Sequence, residues 1–126
     1  MGKQEKLIQI TKFDTKYNEI LGTQFQAFAI YQSKGLQAHL MKRKHYVAAK
    51  YIGCLDEMIS NPDYIGITNG NIELVKKYKE NIFICIKLDH QRNKYFVATM
   101  FETGESKIDA YVKSGRLKKV IDYYTR

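Results

Sequence analysis

The chain has a single proline, Pro62, and no tryptophan. It also has no Ser/Gly-rich or Pro-rich run, which argues against a linker or a disordered low-complexity tail. No apolar stretch approaches the roughly 20 residues that a helix needs to cross a bilayer. Residues 1–16 are charged rather than signal-like. Cysteine is scarce too. Cys54 and Cys85 each lie inside an apolar segment, the pattern of buried, reduced thiols and of a cytoplasmic setting. No Cys/His cluster has zinc-ligand spacing, and no carboxylate cluster suggests a metal. Glycine-rich phosphate loops and nucleophile elbows are missing as well. No metal and no cofactor is therefore expected.

What the sequence does have is size for one core and an excess of positive charge. Its 126 residues suit a single domain, 1–126. The formal net charge is +8, with a sequence pI near 9.4. That balance favours a polyanionic partner, RNA or DNA first and an acidic membrane second, although basicity alone also serves solubility.

Periodicity divides the chain into short elements. Residues 6–13 alternate as a half-buried strand, and residues 14–22 read as a helical turn capped by Asp14 and closed by Gly22. Residues 23–31 alternate again, with Phe25, Ala27, Ala29 and Tyr31 on one side. Ser33 can cap a helix that begins near Lys34. Residues 46–60 form the clearest helix, with Val47, Tyr51, Leu55, Met58 and Ile59 on its core side, and the Asn61-Pro62-Asp63 stretch ends it. Strands are expected at 64–68 and 72–78 around the Asn69-Gly70-Asn71 turn, although 73–79 could be helical. Residues 82–88 read as a central strand, with residues 94–101 as its antiparallel partner. A short helix at 105–112, the Ser114-Gly115-Arg116 turn and a last segment at 117–124 follow. The expected class is α+β.

Three constellations could carry chemistry. The stretch GLQAHLMKRKH (residues 35–45) holds His39 and His45 with Lys42, Arg43 and Lys44 between them. On a continuous helix, residues six apart point to different faces, so both imidazoles can line one cleft only if the helix breaks near Lys44. A basic run like this is otherwise most often a solvated face. Thr99 is the one small hydroxyl of an apolar strand, expected to share a face with Tyr95, Val97 and Phe101. Strand threonines are commonly there for β-propensity alone. Ser106, Lys107 and Arg116 surround a helix start and a glycine turn, where anions find N–H donors and a guanidinium. If the chain is an enzyme acting on a polyanion, metal-free His/Lys/Arg chemistry is what these residues allow. RNA supplies its own 2′-OH nucleophile, and histidine suits both proton-transfer roles.

Five segments, in order, resemble the phage-type Barnase–EndoU–colicin–RelE-like nuclease domain of phage and mobile-element proteins. They are IYQSKGLQAHLMKRKH (30–45), NPDYIG (61–66), IELVKKYKENIFICIKLD (72–89), YFVATMF (95–101) and ESKIDAYVKSGRLK (105–118). The resemblance implies N-terminal helices packed on a four-stranded, or slightly larger, antiparallel β-sheet, with a nuclease-like core over about residues 8–120. It also implies a metal-independent endoribonuclease of a bacterial host's cytoplasm, acting on tRNA or mRNA, with DNA as the other nucleic acid, no membrane role, and an inhibitor or immunity protein as a partner class. His39 and His45 match the family's helix histidines, Arg43 one of its basic positions with Lys42 just before it, Thr99 its strand threonine, and Ser106, Lys107 and Arg116 its terminal polar positions. On that footing His39, His45, Arg43 and Thr99 are the expected catalytic residues and Lys42, Ser106, Lys107 and Arg116 the expected phosphate-binding ones. Where the family pattern reads Lys-Arg-His, this chain reads Arg43-Lys44-His45. The alternative reading is a non-catalytic module that binds RNA, DNA or a host protein through the same basic helix.

Overall fold

The computed structural model describes residues 7–89 and 91–124. Their order is β1 (Leu7–Lys12), α1 (Tyr17–Leu21), β2 (Ala29–Ser33), α2 (Leu36–Lys42), α3 (Tyr46–Ala49), a 3₁₀ turn (Ile52–Cys54) and α4 (Leu55–Ser60). Then come β3 (Tyr64–Thr68), β4 (Asn71–Lys77), β5 (Asn81–Asp89), β6 (Lys94–Thr103), α5 (Glu105–Lys113), β7 (Leu117–Lys119) and α6 (Ile121–Tyr124). The α+β class holds. The sheet, however, has seven strands in the order β1-β2-β6-β5-β4-β3-β7. It is also not purely antiparallel, because β2 runs parallel to β6 at Ile30–Tyr95 and Tyr31–Phe96. The expectation of a four-stranded, or slightly larger, antiparallel sheet is corrected: the sheet is larger, with seven strands, and mixed. Alternation identifies a strand but does not say which neighbour it will meet, and β2 reaches β6 only after a crossover of some sixty residues.

Other local expectations shift for identifiable reasons. Residues 23–28 alternate yet form no strand. The Asn18 side chain donates to the Phe25 carbonyl (2.8 Å) and accepts from the Phe25 N–H (2.9 Å) and the Thr23 hydroxyl (2.7 Å), so these groups are satisfied without a ladder. Asp14 accepts the Lys16 N–H (3.0 Å) in a local turn, and the helix starts at Tyr17. Gly22 closes it in the left-handed conformation, φ 67°, as expected. Ser33 stays in β2, and Gly35 occupies the N-cap of α2. The long helix at 46–60 is three short pieces. It gives way around Gly53, a poor helix former, where Tyr51 leaves to stack on Tyr78 (centroids 4.9 Å, 1° apart).

One sheet face carries the main core. Ile30, Ile65, Ile72, Leu74, Ile82, Ile84, Ile86, Tyr95, Val97 and Met100 meet the buried sides of α1 to α4, among them Ile20, Leu40, Ala48 and Met58. The opposite face is covered by α5 only toward β3–β5, where Ile108 packs with Tyr64, Val75, Phe83 and Leu117. Gly66 lies under this second layer, and a methyl group there would overlap the Arg116 carbonyl, so the β3–β7 approach needs glycine.

Pairing of β5 with β6 shifts by one residue: Ile86 faces Val97 but Cys85 faces Thr99, which leaves Ala98 bulged. Tyr95, Val97 and Met100 therefore point into the core, while Thr99 and Phe101 point the other way. This corrects the expectation that Thr99 and Phe101 share a face with Tyr95 and Val97. The bulge breaks the two-residue period. Both cysteines are free and only half-buried, which corrects the expectation of fully buried thiols. No helix among the described residues is long and apolar enough to cross a membrane.

Candidate functional site on the open sheet face

A strip of the second face is built by β5 and β6, open at its Lys87–Phe96 end and closed by α5 over Phe83. Lys87 pairs with Phe96, Cys85 with Thr99 and Phe83 with Phe101, so these six side chains lie side by side along the two strands. At about 3.3 Å per residue, the strip from Phe96 to Phe101 is roughly 15 Å long. Helices α2 and α3 flank β6 and supply the histidines.

Helix α2 breaks at Lys44, the condition that the six-residue spacing of His39 and His45 imposes. Lys44 adopts φ 63°, the left-handed conformation usual for glycine at this position. Its N–H bonds to the Met41 carbonyl (3.1 Å), and the His45 N–H bonds to the Leu40 carbonyl (2.8 Å). The paired bonds reverse the chain at Lys44, so His45 starts α3 rather than extending α2. Its imidazole then packs on Phe101, with centroids 5.9 Å apart.

His39, exposed on α2, lines a pocket of about 600 Å³ at the other end of the strip. Lys94, Phe96 and Ala98 contribute from β6, Lys87 and Asp89 from β5, and Arg92 from the turn between them. Asp89 accepts the backbone N–H groups of Gln91 (3.1 Å) and Arg92 (3.2 Å), shaping that turn.

A second group forms around His45. Phe101 stacks on Phe83 (4.7 Å), and Phe83 meets Tyr111 of α5 edge-on (6.2 Å). The Arg116 guanidinium lies 4.2 Å above the Tyr111 ring, and the Lys107 ammonium is 5.3 Å from that ring. Arg116 is further held by Glu73, with Nε donating to Oε1 (2.7 Å) and a terminal nitrogen to Oε2 (2.6 Å). The Thr68 hydroxyl also donates to Glu73 Oε1 (2.6 Å). The Glu73 hydrogen bond pushes the already high Arg116 pKa further up, so its charge is fixed. Burial, followed by the Glu73 charge, pushes the Cys85 thiol up.

The sequence-derived residues therefore divide. His45, Lys107 and Arg116 are linked through the aromatic cluster, Thr99 stands between the two groups beside Cys85, and His39 belongs to the pocket. Lys42 and Arg43 are exposed at the end of α2, and Ser106 is exposed on the first turn of α5. Sequence reasoning missed Glu73, a carboxylate only 4% exposed. The available signal was a lone acid between Ile72 and Leu74 in an apolar strand. Among the described residues, no group of three or more His, Cys, Asp or Glu side chains lies together to hold a metal ion.

Fold and site together define an α+β domain with helices packed on one sheet face and a basic, aromatic, histidine-flanked strip on the other. The chain belongs to the phage-Barnase-EndoU-ColicinE5/D-RelE like nuclease3 family, whose family model matches residues 8–110. The matched span holds His39, Arg43, His45, Thr99, Ser106 and Lys107, and stops before Arg116. No curated protein and no solved structure matches the chain significantly. Membership points to a nuclease-type function with nucleic acid as substrate.

Proposed function

We propose that the protein is a metal-independent endoribonuclease of a phage or mobile element, working in the cytoplasm of a bacterial host on tRNA or mRNA. The observation that carries the reading is the chain reversal at Lys44, which turns His45 toward β6 while His39 faces the same strand from α2. One imidazole takes the proton of an RNA 2′-OH. The freed oxygen attacks the adjacent phosphorus, and the bond to the 5′-oxygen breaks as that leaving oxygen is protonated. His39 and His45 stand toward opposite ends of the strip, so the other imidazole supplies that proton only if these ends draw together on the bound strand. The products are a 2′,3′-cyclic phosphate and a 5′-OH end. Arg43, Lys42 and Lys107 offer cations to the scissile and flanking phosphates, with Ser106 beside them. Thr99, between the histidine-bearing ends, hydrogen-bonds the phosphate or orients an imidazole.

Arg116 enters this scheme differently from a free phosphate clamp. Glu73 already occupies two of its donors, so only its remaining N–H groups can reach a phosphate. That observation also favours a second reading, a module that binds nucleic acid or a host protein without cutting.

The decisive measurement is incubation of total tRNA and mRNA with the purified chain in excess EDTA, followed by end mapping. Cyclic-phosphate ends are expected, and His39→Ala should lower the rate by about 10²–10⁴-fold with an unchanged circular dichroism spectrum. EDTA-sensitive cutting refutes the metal-free mechanism. Undiminished cutting by His39→Ala refutes its assignment. Salt-sensitive binding with intact RNA supports the second reading.

A further inference from the structure

The pocket beside His39 has features that acid–base chemistry does not require. Its floor is Phe96, a half-buried aromatic on the sheet face that no helix covers there. The other rings of that face, Phe83, Phe101 and Tyr111, are engaged with one another, with His45 or with Arg116. Among the described residues, Phe96 is paired with no other ring. The bulge at Ala98 places a small side chain in the pocket lining two residues beyond it. Leu7 and Leu36 give the pocket apolar walls, and its volume of about 600 Å³ is that of a small-ligand site.

Cations gather at the same rim. Lys87 stands directly across from Phe96 in the β5–β6 ladder. Arg92 is 69% exposed and reaches Asp89 only at 3.7 Å, a loose surface pair that leaves its guanidinium available. Lys94 lies 5.3 Å from the Tyr31 ring. Against these, among the described residues lining the pocket, stands one acid, Asp89, whose carboxylate already accepts two backbone N–H groups. An unpaired aromatic face rimmed by lysine and arginine is the combination that holds single-stranded nucleic acid: the base stacks and the backbone is neutralised.

We propose that this pocket is a nucleobase subsite, in which one unpaired base of a single-stranded RNA stacks on Phe96 while Lys87, Arg92 and Lys94 hold the adjoining phosphate. The RNA identity rests on the endoribonuclease reading above. The subsite makes the substrate a loop, an end or an unstructured stretch, because a base inside a duplex is already stacked on both faces. It also fixes register. With one base seated in the pocket, the neighbouring phosphate falls beside His39, and the strand continues over Cys85 and Thr99 toward His45.

The test uses the full chain and a 2′-O-methyl oligoribonucleotide, which lacks the nucleophilic hydroxyl and stays intact, carrying one 2-aminopurine. Titration should quench the fluorophore as it stacks. Phe96→Tyr should retain the quenching. Phe96→Leu, which keeps apolar volume but has no π-face, should lose it and weaken binding roughly 5- to 100-fold. The same oligonucleotide in a duplex should bind more weakly than the single strand. If Phe96→Leu quenches and binds like the parent, or if the duplex binds equally well, the subsite is wrong. Cleavage of ordinary RNA measured in parallel separates the two claims. A parent that quenches through Phe96 but never cuts keeps the subsite and loses the catalytic reading. A parent that cuts, with Phe96→Leu unchanged in KM, keeps catalysis and loses the subsite.

Discussion

Arg116 grips Glu73 with both prongs of its guanidinium, at 2.7 and 2.6 Å, beneath the edge of the candidate cleft. The two partners differ in burial: the Arg116 side chain is 33% exposed and the Glu73 side chain 6%. The acid therefore depends on the base far more than the reverse. Removing Arg116 leaves a buried carboxylate with the Thr68 hydroxyl as its remaining side-chain donor.

Arg116→Ala should accordingly lower stability by about 3 kcal/mol, read as a fall in the urea midpoint at unchanged slope. Arg116→Lys should recover only part of this, since an ammonium cannot make the two parallel bonds. A joint Glu73→Leu/Arg116→Met variant should be more stable than Arg116→Ala, because it removes the stranded charge along with its partner. If Arg116→Ala folds as stably as the parent, the pair is not the strut described here.

Lys44 carries a left-handed backbone that costs a non-glycine residue about 1 kcal/mol or more. Lys44→Gly should therefore raise stability by about 0.5–1 kcal/mol in thermal or urea unfolding. Lys44→Val, β-branched and ill-suited to φ 63°, should lower it and move His45 off Phe101, visible as a changed His45 ring resonance. A stabilising valine would contradict the turn geometry.

Cys85 should react sluggishly. Burial and the neighbouring Glu73 charge hold its pKa above the usual thiol value, and Lys87 and Arg116 offset this only in part. The folded state keeps its proton longer than the unfolded chain does. This contribution to stability is therefore present below about pH 8.5 and fades as pH rises through the folded pKa. In a Cys54→Ser background, alkylation by iodoacetamide should reach half its limiting rate above that pH. Glu73→Gln should move the midpoint down. A midpoint at or below the ordinary thiol value would refute this.

Most element positions were legible in the sequence because they rest on local physics. Residues 64–68, 82–88 and 94–101 show the apolar pattern of strands, and all three are strands. Gly22 and Pro62 punctuate as their backbones dictate. The misreadings arise where a side-chain hydrogen bond, a helix-weakening glycine or a register shift overrides the simple periodic pattern. Residues 23–28 alternate like a strand, but the Asn18 amide takes their hydrogen bonds. Thr99 takes the face opposite to the one its alternation suggests, because the bulge at Ala98 has no mark in YFVATMF. The candidate site was legible in part. The helix break that positions His45 was foreseen as a condition, whereas the pairing that buries Glu73 under Arg116 joins residues 43 apart in sequence and leaves no short-range trace.

By itself, then, the sequence determined the α+β class, the positions of most strands and helices and the concentration of charge, since periodicity and capping act within a few residues. The tertiary structure decided which strands are neighbours, which face each side chain takes and which cation is already partnered. Those outcomes depend on register, bulges and ion pairs between distant segments, where one residue of slip moves a side chain to the other side of the sheet.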